Sequence, residues 1–194
     1  MKWITGSGDH GCWLGSYEHR KQRLFHGVIQ PESVVWDVGA NVGLYSLVAS
    51  RKAKRVIAVE PVAENIKYLE RHIALNRIRN IELVVAAVAG ECGKASFSVG
   101  ENRSTGHLAA GTLKVNVVTL DSLLMKFGAP DVIKMDVEGA EYLALQGAER
   151  CLSGYPIIFW LPTPALAAQC SDLLRSAGYV SMAVGEDEFI FSRR

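Results

Sequence analysis

Two glycines four positions apart have the clearest chemical potential in this chain, in the run Asp37-Val38-Gly39-Ala40-Asn41-Val42-Gly43. An apolar β-branched stretch precedes them and a pattern of helical period follows, which predicts a strand, a tight turn and a helix. Gly39 would let the backbone approach a ligand closely, and Gly43 would let the start of the helix pack tightly on the strand. The free N–H groups and positive dipole end of that helix favour an anionic group. The turn is therefore predicted to bind a nucleotide-like cofactor.

The spacing of the glycines narrows the choice of cofactor. The dinucleotide fingerprint G-x-G-x-x-G needs glycines where this chain has Asn41 and Leu44, and no Gly-Lys-Ser or Gly-Lys-Thr of a P-loop follows the turn. A NAD(P)-dependent oxidoreductase is thereby disfavoured but stays open as an alternative. Glu60 ends the next apolar strand, where its carboxylate can accept hydrogen bonds from both hydroxyls of an adenosine ribose.

Three further carboxylates, Asp136, Glu138 and Glu141, follow a later apolar strand. The last two are three positions apart and so share one face of a helix start, where acids also suit the helix dipole. Asp136 stands at the strand end and is predicted to position or deprotonate an acceptor group. The three acids could instead hold a divalent cation. No further ligand accompanies them, so no metal is expected.

A polar loop, Gly100-Glu101-Asn102-Arg103-Ser104-Thr105-Gly106-His107, interrupts the alternation of strands and helices. A long polar insertion at the edge of an α/β domain is typical of a functional or a mobile loop. Arg103 and Ser104 are predicted to contact the substrate, as is Glu138. His107 is a second candidate for the base that takes a proton from an alcohol acceptor.

These residues require a sheet that brings strand ends together. Continuous apolar strands alternate with helical periods, which predicts an α/β fold with a largely parallel sheet and a closing C-terminal hairpin around residues 185–187. Residues 81–88 are predicted to form the third strand. It ends in Ala86 and Ala87, whose small side chains would leave room for an adenine ring, so Ala87 joins the predicted cofactor contacts.

Length and composition predict one globular domain over residues 1–194, with residues 1–30 as an irregular lead-in and helix and residues 31–194 as the core. Apolar residues make up 49% of the 194 residues and charged residues 21%, which suits a soluble protein with a single core. The 21 Lys and Arg nearly cancel the 20 Asp and Glu, so no nucleic-acid or membrane partner is expected. The four dispersed cysteines and the absence of a signal peptide or membrane span favour a cytoplasmic location.

Four motifs in order resemble the FkbM family of S-adenosylmethionine-dependent methyltransferases. They are Asp37-Val38-Gly39-Ala40-Asn41-Val42-Gly43, Val59-Glu60-Pro61, Val118-Thr119-Leu120-Asp121 and Ile133-Lys134-Met135-Asp136-Val137-Glu138-Gly139-Ala140-Glu141. The resemblance spans residues 17–152. It implies a Rossmann-like three-layer α/β/α sandwich with a seven-stranded, mostly parallel sheet, S-adenosylmethionine as donor, and O-methylation of a hydroxyl on a sugar or secondary metabolite.

The resemblance also implies residue roles. Gly39, Asn41, Gly43 and Glu60 would hold the donor, with Asp136 at the junction of donor and acceptor. Asp37 would bond either the turn itself or the amino group of the cofactor.

Two departures from the family pattern concern the acceptor. Family members commonly carry an acid at the end of the strand that here reads Ile158-Phe159-Trp160-Leu161, and the segment before the first strand is too short for a separate substrate-recognition domain. A non-catalytic binding protein with a methyltransferase fold is therefore a further alternative. The sequence leaves the small-molecule acceptor unidentified and the oligomeric state open, a homodimer being one option.

Overall fold

The computed structural model describes residues 1–7, 19–99, 106–108, 113–137, 139–154, 156–160, 164–183 and 189–193. The described helices and strands alternate over most of the chain. In order they are α1 His19–Val28, β1 Val34–Val38, α2 Leu44–Ser50, β2 Arg55–Val59, α3 Ala63–Leu75, β3 Ile81–Val84, β4 Ala87–Val88, β5 Gly93–Val99, β6 Gly106–Leu108, β7 Leu113–Val118, α4 Leu120–Phe127, β8 Val132–Met135, α5 Glu141–Gln146, α6 Glu149–Ser153, β9 Ile157–Trp160, a 3-10 turn Pro164–Leu166, α7 Ala167–Ser176, β10 Tyr179–Ala183 and β11 Phe189–Arg193.

The main sheet has seven strands in the order β10-β11-β9-β8-β1-β2-β3. Strands β3, β2, β1, β8 and β9 pair in parallel, and β11 runs antiparallel to both β9 and β10. The predicted parallel sheet with a closing hairpin is thus confirmed. The chain leaves β1 toward β2 on one side and returns later to β8 on the other. The carboxyl ends of β1 and β8 therefore mark the point where the strand order reverses, and ligands of open α/β sheets bind at such points.

Helices cover both faces of this sheet, so the predicted three-layer sandwich is also confirmed. On one face α1 and α2 pack on β1 and β9 through an apolar cluster centred on Phe25, Tyr45 and Phe159. On the other face α4 to α7 cover Trp36 and Ile133, which are fully buried. Central strands that are apolar on both faces form because each face is covered by a helix layer.

A second, four-stranded sheet of order β4-β7-β5-β6 occupies the break in the alternation. Strand β4 pairs in parallel with β7, and β5 pairs antiparallel with β7 and β6. The chain enters this sheet directly after the carboxyl end of β3. The insertion therefore starts at the edge of the main sheet where the turn after β1 also lies.

Two predicted elements differ from the structure. The strand predicted over residues 81–88 is broken, because the Ala86 N–H bonds the Val84 carbonyl oxygen at 3.1 Å and redirects the chain from the main sheet into β4. The stretch assigned to a polar loop contains β6, in which His107 pairs with Ser98 of β5. Within the described part of the chain, no helix has the length and apolar character needed to cross a bilayer.

Candidate active site

The turn after β1 packs directly on the backbone after β8. Gly39 has φ +80°, and a Cβ placed on it would lie 1.8 Å from the Asp136 carbonyl oxygen. The N–H groups of Gly39 and Ala40 both bond the Val59 carbonyl oxygen at 3.0 Å. The turn is therefore fixed against the ends of both neighbouring strands, and only glycine fits at position 39.

Gly43 has a different role from the predicted one. Its φ is +100°, and a Cβ there would lie 2.2 Å from Leu69 Cδ1 in α3. The prediction that this glycine lets the start of α2 pack on β1 is wrong as to the partner, because the close approach is to α3. Asn41, between the two glycines, also has a positive φ of 50°. The turn thus adopts a left-handed backbone at three positions.

Glu60 holds the turn through both carboxylate oxygens. Its Oε2 accepts a hydrogen bond from the Asn41 N–H at 2.9 Å, and its Oε1 accepts from the Val62 N–H and Asn65 Nδ2 at 3.0 Å each. The side chain is 5% exposed. Burial raises the pKa of the Glu60 carboxyl, while the N–H donors and the Lys134 ammonium oppose this shift. A carboxylate offers about four acceptor positions, so about one remains for a ligand hydroxyl.

Asp37 lies in the core beneath the turn. It is fully buried, accepts a hydrogen bond from Ser46 Oγ at 2.6 Å, and its Oδ1 is 3.1 Å from Lys134 Nζ. These contacts join Asp37 to α2 and β8, and its two predicted roles, bonding the turn or the amino group of the cofactor, stay predictions.

Lys134 was missed as a site residue by the sequence analysis. Its Nζ donates a hydrogen bond to the Gly39 carbonyl oxygen at 2.8 Å and lies 3.6 Å from Asp136 Oδ2. The signal was available, because Lys134 is a lone charged residue in the apolar strand Val132-Ile133-Lys134-Met135. A lysine buried in a parallel strand needs a carboxylate partner.

The structure separates the predicted acids. Asp136 has a side chain that is 33% exposed beside the turn. Glu141 is fully buried and accepts a hydrogen bond from the Gly139 N–H at 3.0 Å, so it fixes the loop before α5. Glu138 lies outside the described residues, and among the described ones no group of three His, Cys, Asp or Glu side chains has the geometry of a metal site.

The third motif, Val118-Thr119-Leu120-Asp121, is structural. Thr119 and Ser122 form a capping box at the start of α4. The Asp121 carboxylate accepts hydrogen bonds from the backbone N–H groups of Arg150 at 3.1 Å and Cys151 at 2.7 Å. The motif therefore joins the beginnings of α4 and α6 on the face that covers β8.

The remaining predicted residues lie in or beside the second sheet. Ala87 is 5% exposed and packs with Phe97, Val115 and Val117 inside that sheet's own apolar cluster. His107 belongs to β6, and nothing beyond its backbone pairing is described. Arg103 and Ser104 lie outside the described residues, so their substrate contacts stay predictions.

A cavity of about 600 Å³ lies between α5 and the second sheet. Cys92, Lys94, Leu143 and Gln146 are among its lining residues. None of the residues predicted for the donor site lines it, so this cavity is separate from the Gly39 turn.

The residues at the strand switch point fit the adenosyl donor that the sequence implies. Gly39 lets the turn pack against the Asp136 backbone at the carboxyl end of β1, Glu60 has about one acceptor position left for a ribose hydroxyl, and Asp136 presents a partly exposed carboxylate at the same edge. Gly39, Asn41, Glu60 and Asp136 would hold the donor. It would supply a methyl group activated on a sulfonium.

The sequence profile of the methyltransferase FkbM domain matches residues 37–180 of this chain. A hexuronic acid methyltransferase from Haloferax volcanii is 25% identical over 134 residues, which cover 67% of this chain and 56% of that protein. A ribosomal protein L11 methyltransferase from a Thermoanaerobacter species is 30% identical over 97 residues, which cover 47% of this chain and 32% of that protein. The chain thus spans between about a third and just over half of these curated relatives.

Solved structures show the same fold. Methyltransferase FkbM from Methylobacillus flagellatus superposes with a TM-score of 0.60 at 20% identity, over 88% of this chain and 50% of that one. An rRNA methylase from Streptococcus thermophilus gives a TM-score of 0.55 at 14% identity, over 91% of this chain and 96% of that one. At these identities the likeness extends to the fold alone. The profile match covers well over half of the sequence, and the chain therefore belongs to the FkbM methyltransferase domain family.

Proposed function

We propose that this chain is an S-adenosylmethionine-dependent methyltransferase that methylates a hydroxyl group of a sugar or related small metabolite. The observation that carries the proposal is the convergence of Gly39, Glu60 and Asp136 at the strand switch point, where Gly39 leaves no room for a side chain against the Asp136 backbone. Membership of a methyltransferase family supports it.

A sugar acid is the acceptor class that the comparisons favour. The similar protein from Haloferax volcanii is named a hexuronic acid methyltransferase. The chain carries a formal net charge of only +1, which gives no electrostatic reason for a nucleic-acid acceptor. We accordingly propose a small-molecule acceptor, although RNA methylases share the fold.

Asp136 would carry the acceptor chemistry. Its partly exposed carboxylate would accept a hydrogen bond from the acceptor hydroxyl and take its proton as the oxygen is methylated. The fixed turn and strand ends would contribute by holding the reacting groups in line, which is the main source of rate in a displacement of this kind. His107 stays a second candidate base.

A turnover screen tests the proposal. The purified chain is incubated with S-adenosylmethionine and one acceptor class at a time, namely neutral sugars, uronic acids, short RNA or denatured protein, and S-adenosylhomocysteine is measured. We expect product with a hydroxylated sugar acceptor, about 10²–10⁴-fold less with Asp136→Asn, and methyl transfer to oxygen by mass spectrometry.

Two results would contradict this function. Product formed only with RNA or protein would overturn the acceptor class while leaving the donor in place. Tight donor binding without turnover on any acceptor class would favour the non-catalytic binding protein instead.

A further inference from the structure

Lys134 is the buried cation that links the three parts of the donor site. Its side chain is 2% exposed, and its Nζ contacts Asp37 in the core, the Gly39 carbonyl oxygen in the turn and Asp136 at the cleft. The Tyr45 ring covers the ammonium from 5.1 Å. One side chain therefore spans from the core to the exposed carboxylate.

The two carboxylates lie at different depths around the ammonium. The fully buried Asp37 is the nearer one, with its Oδ1 3.1 Å from Lys134 Nζ, against 3.6 Å for Asp136 Oδ2. Asp136 therefore meets the ammonium from the cleft side, where its side chain is 33% exposed.

The backbone of Asp136 is fixed independently of the lysine. Its N–H bonds the Val38 carbonyl oxygen at 3.1 Å, and its own carbonyl oxygen lies against Gly39. Loss of the ammonium would therefore leave the Asp136 backbone in place and change the direction of its side chain. A substitution of Lys134 can therefore change the orientation of the Asp136 side chain without moving its backbone.

We propose that Lys134 is a positioning residue that aims the Asp136 carboxylate at the donor. Held this way, Asp136 favours the cationic sulfonium of the donor over the neutral thioether of the product, so that spent donor is released in preference to fresh donor. The inference rests on the proposed function, because it assumes that S-adenosylmethionine binds at the Gly39 turn.

The test is a double-mutant cycle in a background that tolerates loss of the lysine. Lys134→Met alone would leave Asp37 buried without a cation, which is strongly destabilising, so every variant also carries Asp37→Asn. The four proteins are Asp37→Asn alone and the same with Lys134→Met, with Asp136→Asn, or with both. Calorimetry gives the dissociation constants for S-adenosylmethionine and S-adenosylhomocysteine, and urea unfolding verifies that each variant is folded.

The quantity compared is the preference for S-adenosylmethionine over S-adenosylhomocysteine. We expect Lys134→Met to lower this preference about tenfold when Asp136 is present and less than twofold when Asp136 is already Asn, because a residue that acts through another shows no effect in its absence. Turnover is not needed for this readout.

Three outcomes would overturn the inference. Equal weakening of both ligands would give Lys134 a packing role only. A preference that rises on loss of the ammonium, in the Asp136→Asn background as well, would indicate direct repulsion between the ammonium and the sulfonium. Failure of the unaltered protein to bind either ligand would instead overturn the proposed function, and this inference with it.

Discussion

Gly39 shows how a single residue can determine the shape of the turn after β1. Its φ of +80° would strain any side chain, and the position of a Cβ is already taken by the Asp136 carbonyl oxygen. A backbone atom cannot move aside as a flexible side chain can. The requirement for glycine therefore comes from both conformation and space.

We expect Gly39→Ala to destabilise the fold by about 3 kcal/mol or more, because left-handed strain and overpacking add. Substitution of two other glycines, measured by urea unfolding, separates the cost of backbone strain from the cost of overpacking. Gly128→Ala, with φ +83°, ψ 175° and no atom within 4 Å of its Cβ, tests backbone strain without a clash and should cost about 1–3 kcal/mol. Gly27→Ala, inside α1 with open space, should stabilise by up to about 1 kcal/mol. Equal costs for Gly39→Ala and Gly128→Ala would contradict the contact with Asp136.

For single residues, the sequence predicted which residues lie at the strand switch point better than it predicted the neighbours that they contact. Gly39 and Glu60 were identified from spacing, and both are at the strand switch point. Lys134 was missed, because spacing rules describe ligand contacts and not the counter-ions that a buried carboxylate needs. The exact neighbour of Gly43 was also beyond sequence reasoning, since Leu69 approaches it only through the packing of α3.

Among the elements, α6 depends on a distant carboxylate for its start. The backbone N–H groups of Arg150 and Cys151, in the first turn of α6, donate hydrogen bonds to the Asp121 carboxylate. The N-cap residue of α6, Ala148, has no side-chain oxygen that could accept them. We expect Asp121→Ala to cost about 1 kcal/mol in urea unfolding, the usual cost of a lost N-cap. Asp172→Ala, in an exposed pair on α7, is the matched control and should change stability by less than about 0.5 kcal/mol. Similar losses from both would argue against the cap.

The first residues of the chain are attached to the turn after β1 through His72 of α3. Its Nε2 accepts the Ile4 N–H at 3.2 Å, so its proton is on Nδ1, which donates to the Val42 carbonyl oxygen at 2.8 Å. The ring stacks on Trp3 with centroids 4.0 Å apart. Since Nε2 must accept, this arrangement requires a neutral imidazole.

This contact predicts a pH dependence of stability. Burial lowers the pKa of His72 below its ordinary 6.5, so below about pH 6.5 the unfolded chain binds more protons than the folded one. The stability provided by neutral His72 is complete above that pH and is lost as the pH falls. We expect the free-energy difference between the unaltered chain and His72→Phe, which keeps the stacking, to narrow from pH 8 to pH 5. A constant difference would contradict the assignment, and the exposed His19→Gln should follow the unaltered chain throughout.

Element boundaries were predictable where local signals were strong. The strand Arg55–Val59 and the helix Ala63–Leu75 follow their apolar periods. The break between β3 and β4 was not predicted, because residues 83–88 are apolar throughout and only the pairing of β4 with β7 decides the separation. Strand β6 was missed for a similar reason, since its partner β5 lies several residues away along the chain.

For the whole molecule, the fold class and the sheet followed from the sequence, and the arrangement of the second sheet did not. Alternating strands and helices predicted the main sheet because right-handed crossovers leave few options. The insertion after β3 depends on pairing between distant short strands. The acceptor site was likewise not defined by the sequence, and the residues predicted to contact the acceptor, Arg103, Ser104 and Glu138, lie outside the described residues.

The proposed binding of S-adenosylmethionine is tested by thermal unfolding with S-adenosylmethionine, S-adenosylhomocysteine and NADH. A ligand at 100 times its dissociation constant stabilises by about 2.7 kcal/mol. We expect the two adenosyl ligands alone to stabilise the unaltered chain and Glu70→Gln, an exposed change on α3. Glu60→Gln should lose most of that shift while staying folded, since the amide oxygen can still accept hydrogen bonds from N–H donors that now bond Glu60. Stabilisation by NADH alone, or by none of the three ligands, would contradict the proposed donor.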